Sequence, residues 1–535
     1  MSSKFLKGAF ILTLGSILSK VLGLFYLIPF EAMVGNKGAT LYQYGYVPYS
    51  IFLSFATAGM PLAVSKFISK YNALEEYAVG RKLFKSSLLL MLITGFLSFL
   101  TLYSMAPFYA GFVTVGENPL PVEDTTAVIR AISFALIIVP FMSIIRGFLQ
   151  GHEEMEPSAV SMVVEQIIRI VFLLAGVYVV LKLMDGKLVT AISIATFAAT
   201  VGAVGGLAVL LWHWKKRKPK LDQLLSQDKG TVHISLVQIY KEILFSSIPF
   251  VFVGIAMPLF QQVDSLTFNR AMVSIGLDNI SEDALGILNV YAQKLVIIPM
   301  TLATGFSMAL VPSVTKAYIS GDHNLFKYQL DQSFQILLFL TIPAVVGMSV
   351  LADPVYSAFY SHNPLGTEVL QAYAPTAILF ALFSVTAAIL QGINEQKFTI
   401  LSLLVGFLVK LSLNIPLIQW FETKGSIYAT TLGFLAAVVL NLAFISYFTG
   451  YRYNLIIRRT LLIIAFTAGM ALIVWGVESG LELFLDVESR WQAIVIVAIC
   501  VGFGGLFYAA VALKSKLAHR LFGSRIERLQ KRLKL

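Results

Sequence analysis

Long apolar stretches recur along the whole chain and constrain the fold more than any other feature. About fourteen segments of 19 to 26 residues are apolar enough to cross a bilayer as helices. They are residues 8–30, 45–67, 83–104, 128–150, 158–181, 189–212, 243–268, 286–311, 331–352, 369–390, 399–419, 426–448, 459–477 and 491–513. With 57% hydrophobic and 13% charged residues, no soluble class fits. The chain is predicted to be an all-α polytopic membrane protein.

The distribution of basic residues predicts the orientation of these spans. Of the 40 Lys and Arg residues, 29 lie in or at the edges of alternate loops that begin with the N-terminus, and 7 lie in the opposite loops. Because cytoplasmic loops carry the excess of positive charge, both termini are predicted to be cytoplasmic. The same segregation accounts for the net charge of +11, so no nucleic-acid partner is expected.

A repeat predicts two lobes of six helices. The Leu-Gln-Gly of residues 149–151, followed by Glu154 and Arg169, recurs 241 residues later as residues 390–392, Glu395 and Lys410. A second match joins Gly59, Ala63 and Lys70 to Gly305, Ala309 and Lys316. The predicted domains are an N-lobe (1–212), a basic cytoplasmic linker (213–242), a C-lobe (243–448), two added helices (449–513) and a basic cytoplasmic tail (514–535). Parallel repeats of this kind are typical of alternating-access transporters.

Lys20 is the most unusual residue of the first span. It lies roughly 15 Å from either end of a helix over residues 8–30, near the centre of a hydrocarbon layer about 30 Å thick. A lysine at this depth costs on the order of 3 kcal/mol, and it usually faces a bundle interior or a watery path. We interpret Lys20 as a substrate-binding residue, with a structural ion pair as the alternative.

The other charges inside the spans are Glu165, Arg169, Asp264, Lys294 and Lys410. Glu165 and Arg169 are four residues apart on one helix face, which favours a structural ion pair between them. Lys410 is the repeat counterpart of Arg169, and Gly406 stands at the position that corresponds to Glu165. Lys410 is therefore expected to lack a local partner and to be available for substrate. Asp264 and Lys294 form either a structural bridge or part of the site.

Four cations and two acids leave a positive surplus inside the membrane, which should attract an anion. Phosphate is an anion that lysine binds well as a point charge. Lys20, Lys294 and Lys410 are therefore the predicted substrate-binding cations, and Asp264, Glu165 and Arg169 are predicted to support them or to tune their charge.

Motifs for enzymatic chemistry are not found in the sequence. It lacks a P-loop, HExxH and GxSxG, and its six histidines do not have metal-ligand spacing. The single cysteine, Cys500, cannot form an intramolecular disulfide. The chain is expected not to be an enzyme and to use no metal or other cofactor.

Two short motifs resemble those of a known family. Residues 19–23 (SKVLG), and residues 291–295 (YAQKL) followed by Pro299 and residues 310–313 (LVPS), are similar to the first-span and eighth-span motifs of the MurJ-type lipid II flippases, in the branch found in Gram-positive bacteria. That family belongs to the superfamily of multidrug, oligosaccharidyl-lipid and polysaccharide exporters. Lys20 and Lys294 stand at the two places where the family has a functional arginine. Tyr26 stands where the family's first span has a second arginine.

The resemblance implies a V-shaped pair of lobes, a central cationic cavity, a groove near the last two spans for a polyprenyl tail, and a seventh-span aspartate at Asp264. It predicts a flippase in the bacterial cell membrane that moves undecaprenyl-pyrophosphate-linked peptidoglycan precursor, lipid II, from the inner to the outer leaflet. The expected partners are this anionic lipid-linked glycan and membrane lipids, and the transporter is expected to be monomeric. Its energy source would be the membrane potential or a coupled ion.

Three alternatives stay open at this point. The cargo could be another lipid-linked polysaccharide. A cation-coupled multidrug exporter would need exposed acids rather than surplus cations. A polytopic enzyme that ligates or polymerises lipid-linked glycans would need a longer outer loop than residues 105–127, 269–285 or 478–490 provide.

Overall fold

The structure is a computed structural model that describes residues 3–57, 59–116, 119–230, 235, 237, 240–241, 251–300, 314–315, 317–318 and 320–522. This part of the chain is almost entirely helical and contains no β-strand, which confirms the predicted all-α fold. Its contacts divide the chain into two compact units, Met1–Val273 with Leu277–Gly286, and Ser274–Gly276 with Ile287–Leu535.

Ten helices of the first unit lie within the described residues, and they surround small apolar cores. They are α1 (Ser3–Phe25), α2 (Leu27–Thr57), α3 (Met60–Ala73), α4 (Tyr77–Val113), α5 (Val122–Ser133), α6 (Ala135–Gly151), α7 (Glu156–Tyr178, continued by a π-helical turn Val179–Leu183), α8 (Leu188–Leu225), α9 (Ala256–Ser274) and α10 (Asp278–Gly286). Helix α7 packs along α8 and α1, whereas α2 packs against α4, α5, α8 and α10. These contacts place α1, which carries Lys20, beside α7, which carries Glu165 and Arg169.

The second unit begins with a π-helical segment, Ile287–Ala292, and contains nine named helices. They are α11 (His323–Val350), α12 (Ala352–Phe359), α13 (Pro364–Tyr373), α14 (Thr376–Gly392), α15 (Gln396–Phe421), α16 (Thr423–Thr449), α17 (Asn454–Leu481), α18 (Arg490–Lys514) and α19 (Leu517–Phe522). Helix α15 packs along α16, while α11, α17 and α18 share an apolar core. Two of these helices begin with side-chain caps, Asp322 on α11 and Asn363 on α13.

Ten helical segments of the described chain are long and apolar enough to cross a membrane, or eleven when the bent pair Leu14–Phe25 and Leu27–Thr57 is counted as one span. These ten correspond to the predicted spans from 83–104 to 189–212 and from 331–352 to 491–513. The predicted number of fourteen is not confirmed. The spans 243–268 and 286–311 lie partly outside the described residues.

The first two predicted spans are divided differently in the structure. Helices α1 and α2 meet at Tyr26 with a bend of 45°. Pro29 has no amide hydrogen to donate to the carbonyl of Phe25, which accounts for the break at this point. The predicted second span, 45–67, is likewise wrong as one helix, because Gly59 has a φ of 68° and Pro61 follows in the first turn of α3.

The predicted linker is also partly helical. Helix α8 continues beyond its apolar part to Leu225, so residues 213–225 are not a loop. Ion pairs fix this extension to the turns of the same unit, because Arg217 contacts Glu154 and Arg81 contacts Asp222. The basic segment is therefore a helix end held by ion pairs, in which it supplies the cation once and the carboxylate once.

The predicted domain boundaries remain a prediction. The division into compact units assigns α9, which the sequence places in the C-lobe, to the first unit. The second repeat match at Gly305, Ala309 and Lys316, the motif at residues 310–313, and the tail from residue 523 onward lie outside the described residues.

Candidate functional site

Lys20 lies on the exposed side of α1. The opposite side carries small residues at a spacing of four, and they allow close packing on α7. The Ser19 hydroxyl donates a hydrogen bond to the carbonyl of Met162 at 3.0 Å. A Cβ added at Gly15 would lie 2.9 Å from the Cβ of Ala159, so the two helices nearly touch there. This packing turns Lys20 away from α7 and leaves its side chain accessible on the first unit.

Glu165 forms its ion pair with Arg146 of α6. The Arg146 guanidinium donates to a Glu165 carboxylate oxygen at 2.7 Å and to the Ser161 hydroxyl at 2.7 Å. The predicted pair with Arg169 is therefore wrong. The tight turn between α6 and α7 brings Arg146 beside the first half of α7, where it meets Glu165.

Arg169 contacts tyrosines instead. Its guanidinium donates a hydrogen bond to the Tyr42 hydroxyl at 2.9 Å and lies 5.6 Å from the centre of the Tyr46 ring. The rings of Tyr42 and Tyr46 are stacked with their centres 5.7 Å apart. Both tyrosines belong to α2, so this cluster joins α7 to α2. The cation is held by neutral hydroxyl and ring partners.

Tyr26 is the residue for which the resemblance expects an arginine. It is buried at the bend between α1 and α2 and contacts Phe30, with ring centres 6.2 Å apart. It also interacts electrostatically with Arg169 and Tyr42. The positive charge expected on the first span is thus supplied next to Tyr26 from α7.

Lys410 is completely buried in the second unit. Its ammonium group donates to the carbonyl and the hydroxyl oxygen of Ser426, at 3.0 and 3.1 Å, and to the Thr430 hydroxyl oxygen at 2.8 Å. The expectation that Lys410 is available is therefore wrong in this structure. The ammonium joins α15 to α16, and its predicted contact with pyrophosphate remains a prediction.

Asp264 is buried on α9 of the first unit, 3% exposed. It belongs to a polar layer in which Gln43 donates to the Ser265 hydroxyl at 3.2 Å and Asn269 donates to the Tyr44 hydroxyl at 2.8 Å. These contacts attach α9 to α2. The polar surroundings are compatible with a charge-tuning role, which stays a prediction.

Lys294 lies in the second unit, just after the π-helical segment Ile287–Ala292, and is half-buried. Its neighbours in sequence, Gln293 and Leu295, are buried. The structure thus places Lys20, Arg169, Glu165 and Asp264 in one unit, and Lys294 and Lys410 in the other. Whether Asp264 binds Lys294 remains a prediction.

Sequence reasoning missed three residues of this region, Arg146, Tyr42 and Tyr46. Arg146 lies at the edge of a predicted span and was counted with the loops. The spacing of Tyr42, Tyr46 and Tyr49 by four and three residues places them on one helix face, and this was the available signal. Across the described residues, no group of three or more His, Cys, Asp or Glu side chains could hold a metal ion.

Glu282 and His152 are among the titratable groups outside the spans whose pKa values are shifted. Burial raises the pKa of Glu282 on α10, although the backbone amide of Leu120 donates to its carboxylate at 2.6 Å and Lys37 lowers the pKa. Burial lowers the pKa of His152, in the turn after α6, below its ordinary value of 6.5, against a hydrogen bond to the Phe148 carbonyl. Neither Lys20 nor Arg169 is among the groups that shift these two pKa values.

The fold is that of the multidrug and polysaccharide exporter class. The family model described as MatE matches residues 258–415, and the one described as polysaccharide biosynthesis protein matches residues 5–318. Among solved structures, the chain is similar to an inward-facing multidrug resistance MATE family transporter of the MOP superfamily, with a TM-score of 0.59 and 15% identity over 80% of this chain and 98% of that one. A structure titled lipid II flippase MurJ, inward closed conformation, gives a TM-score of 0.67 with 16% identity, covering 96% and 99% of the two chains.

Sequence comparison narrows this class. The chain is 44% identical to the lipid II flippase MurJ of Bacillus subtilis (strain 168), over 98% of both chains. It is 30% identical to the uncharacterized membrane protein YabM of the same organism, over 79% of this chain and 76% of that one. The chain belongs to the MurJ family of flippases, which agrees with the prediction that it is a multi-pass membrane transport protein and not an enzyme.

Proposed function

We propose that this protein transfers lipid II from the inner to the outer leaflet of the bacterial cell membrane by alternating access. The observation that carries the proposal is the similarity to the Bacillus subtilis lipid II flippase along the entire length of both chains. Membrane helices that carry accessible positive charge support an anionic cargo, because a buried cation is costly unless it serves a ligand.

Lys20 and Lys294 are the proposed pyrophosphate ligands. Lys20 is exposed on α1, and Lys294 is half-buried behind an irregular π-helical segment. A lysine ammonium binds phosphate oxygens as a point charge and tolerates several approach directions, which suits a ligand that must be released. Lys410 is buried and hydrogen-bonded to α16, so it would bind pyrophosphate only if α15 and α16 rearranged.

The energy source and the topology complete the proposal. No cofactor is needed, since no bond is made or broken. An anion that leaves a negative interior gains about 2.3 kcal/mol per charge per 100 mV, so the membrane potential, or an ion driven by it, can supply the work. Both termini are proposed to be cytoplasmic and the transporter monomeric, without a nucleic-acid partner.

Depletion of the protein in its host tests the cargo. Lipid II should stay in the inner leaflet and become inaccessible to an external lipid II-binding probe that cannot cross the membrane, while its total amount does not fall. If a different lipid-linked polysaccharide becomes inaccessible and lipid II remains accessible, the cargo assignment is wrong.

Complementation with variants tests the site. Lys20→Ala should fail to restore lipid II accessibility, whereas Lys20→Arg should restore much of it, because the positive charge is retained. Lys85→Ala, at an exposed lysine on α4, is the matched control and should complement fully. Full complementation by Lys20→Ala at equal expression would exclude Lys20 from the binding site.

A further inference from the structure

Arg169 is a membrane-embedded arginine whose charge is not balanced by the acid nearest to it in sequence. Glu165 is already bound to Arg146 at 2.7 Å. The Arg169 guanidinium instead contacts the hydroxyl of Tyr42 and the ring of Tyr46, and Tyr26 and Tyr49 lie within electrostatic range. A cation kept in a membrane helix by neutral partners marks a ligand path more often than a structural pair.

The Arg169 guanidinium has more N–H donors than its bond to Tyr42 uses. An arginine has five N–H donors in a planar fork, and Tyr42 accepts from one nitrogen, at 2.9 Å. Arg169 and Tyr46 are both only half-buried, whereas Tyr42 and Tyr49 are buried. Arg169 and Tyr46 are therefore the two members of the cluster that keep accessible surface.

The position of Arg169 relative to Lys20 follows from the packing of α1 on α7. Contacts join Gly15 to Ala159, Ser19 to Met162 and Gly23 to Gln166, so the two helices run in the same direction. Lys20 is then level with residues 162–163 of α7. Arg169 lies about six residues farther along, or about 9 Å at 1.5 Å per residue. This offset is measured along the helix axis, and it is comparable with the length of a diphosphate and its attached sugar.

We propose that Arg169 and Tyr46 form a second contact point for the lipid-linked glycan, separate from the lysine that holds the diphosphate. The guanidinium binds an oxyanion of the cargo in a bidentate manner, and the Tyr46 ring packs against the adjoining sugar. The oxyanion is either a phosphate or a carboxylate of the glycan-peptide part. This inference rests on the proposed function, because it assumes a lipid-linked glycan as cargo.

Binding measurements with purified full-length protein in detergent test the inference. Lipid II affinity of Arg169→Gln should fall at least about tenfold, the loss expected for a charge-assisted hydrogen-bonded contact. Arg169→Lys keeps the charge but loses the planar fork, and it should fall between the wild type and Arg169→Gln. Tyr46→Leu should weaken lipid II binding and leave binding of sugar-free undecaprenyl diphosphate unchanged.

The same two ligands identify the source of the oxyanion. If Arg169→Gln weakens undecaprenyl diphosphate and lipid II equally, the guanidinium binds phosphate, and if it weakens only lipid II, it binds the glycan-peptide part. Arg146→Lys is the matched control, since Arg146 is an arginine of the same unit that is already paired with Glu165. Its affinity for both ligands should match that of the wild type.

A purely structural role predicts a different pattern. If Arg169 only joins α7 to α2, Tyr42→Phe and Arg169→Gln should lower the thermal midpoint together, and Arg169→Lys, which remains folded, should bind lipid II as tightly as the wild type. That result would overturn the inference while leaving the proposed function intact. Failure of the wild type itself to bind lipid II would instead refute the proposed function.

Discussion

The pairing of Glu165 distinguishes the structure from the pattern in the sequence, and a double-mutant cycle can decide between them. The spacing of four residues favours Arg169 as the partner, whereas the structure pairs Glu165 with Arg146 at 2.7 Å. The required variants are Glu165→Gln, Arg146→Gln and Arg169→Gln, together with the two double variants that contain Glu165→Gln. Each change removes charge and keeps a side chain of similar polarity.

The expected size of the effect follows from burial. The side chains of Arg146 and Glu165 are 17% and 24% exposed, so this ion pair is intermediate between a surface pair and a fully buried pair. A surface pair contributes about 0 to 1 kcal/mol, whereas disruption of a fully buried pair costs about 3 to 5 kcal/mol. Arg146→Gln should therefore cost roughly 2 to 3 kcal/mol, because it leaves the Glu165 carboxylate without its guanidinium. In the double variant with Glu165→Gln most of this loss should disappear, which gives a coupling of about 1.5 kcal/mol or more.

The assay is the temperature at which half of the detergent-solubilised protein loses its monodisperse form. For a chain of 535 residues, 1 kcal/mol corresponds to about 1 °C, so Arg146→Gln should lower the midpoint by about 2 to 3 °C. Arg169→Gln and Glu165→Gln should be additive within error. Strong coupling between residues 165 and 169, with additivity between 146 and 165, would refute the observed pairing.

Three further predictions concern single positions. Lys410→Ala should lower stability by about 2 to 4 kcal/mol through the cavity it leaves, whereas Lys410→Met, which keeps the volume and removes a buried charge, should cost about 1 kcal/mol. Unfolding of this unit can be measured by the reaction of the buried Cys500, the only cysteine, with a thiol-reactive dye. Equal losses of stability in the two variants would show that the hydrogen bonds of Lys410 dominate. Gly406→Ala should destabilise the same unit, because the added Cβ would lie 2.5 Å from the Gly433 carbonyl oxygen. Gly502→Ala is the control and should not destabilise it, because no atom lies within 4 Å of that added Cβ. Equal thermal midpoints for the two variants would argue against close packing at Gly406. Burial lowers the folded-state pKa of His152, so as the pH falls the unfolded chain binds this proton at a higher pH than the folded chain does. Stability should therefore fall as the pH drops below about 6.5, and His152→Gln should flatten this part of the curve of thermal midpoint against pH. A curve that His152→Gln leaves unchanged would exclude His152 as the cause.

The sequence predicts the helices well because each span is selected by its own composition. Apolar runs of about twenty residues are local features, and ten of them are helices in the structure. The breaks are less visible, since apolar residues continue through them. Gly59, with its φ of 68°, divides a run that hydropathy alone reads as continuous. Glycine followed closely by proline was the signal for that break.

The partners of charged residues were harder to predict because they come from other helices. The i to i+4 spacing of Glu165 and Arg169 is a true geometric possibility, but it is worth only about 0.2 to 0.5 kcal/mol on a helix. Arg146, brought in by the turn between α6 and α7, offers a guanidinium that also binds Ser161. Contacts of this kind depend on tertiary packing, which the spacing of residues does not contain.

The two repeats use the same helix crossing with the glycine on opposite helices, and this explains why their cations differ. In the first repeat, the carbonyl of Glu165 on α7 lies 2.7 Å from where a Cβ of Gly202 on α8 would be. In the second repeat, Gly406, the counterpart of Glu165, itself lies against the carbonyl of Gly433 on the following helix.

Because the glycine has replaced the acid, the second helix pair can close at this point without a carboxylate between the helices. Lys410, one turn farther along, then reaches Ser426 and Thr430 and is completely buried. In the first repeat the acid is retained and occupied by Arg146, so Arg169 is left with tyrosine partners and remains half-buried. The two repeat-related cations thus differ in their surroundings: Lys410 links two helices and is fully buried, whereas Arg169 contacts tyrosines and keeps accessible surface.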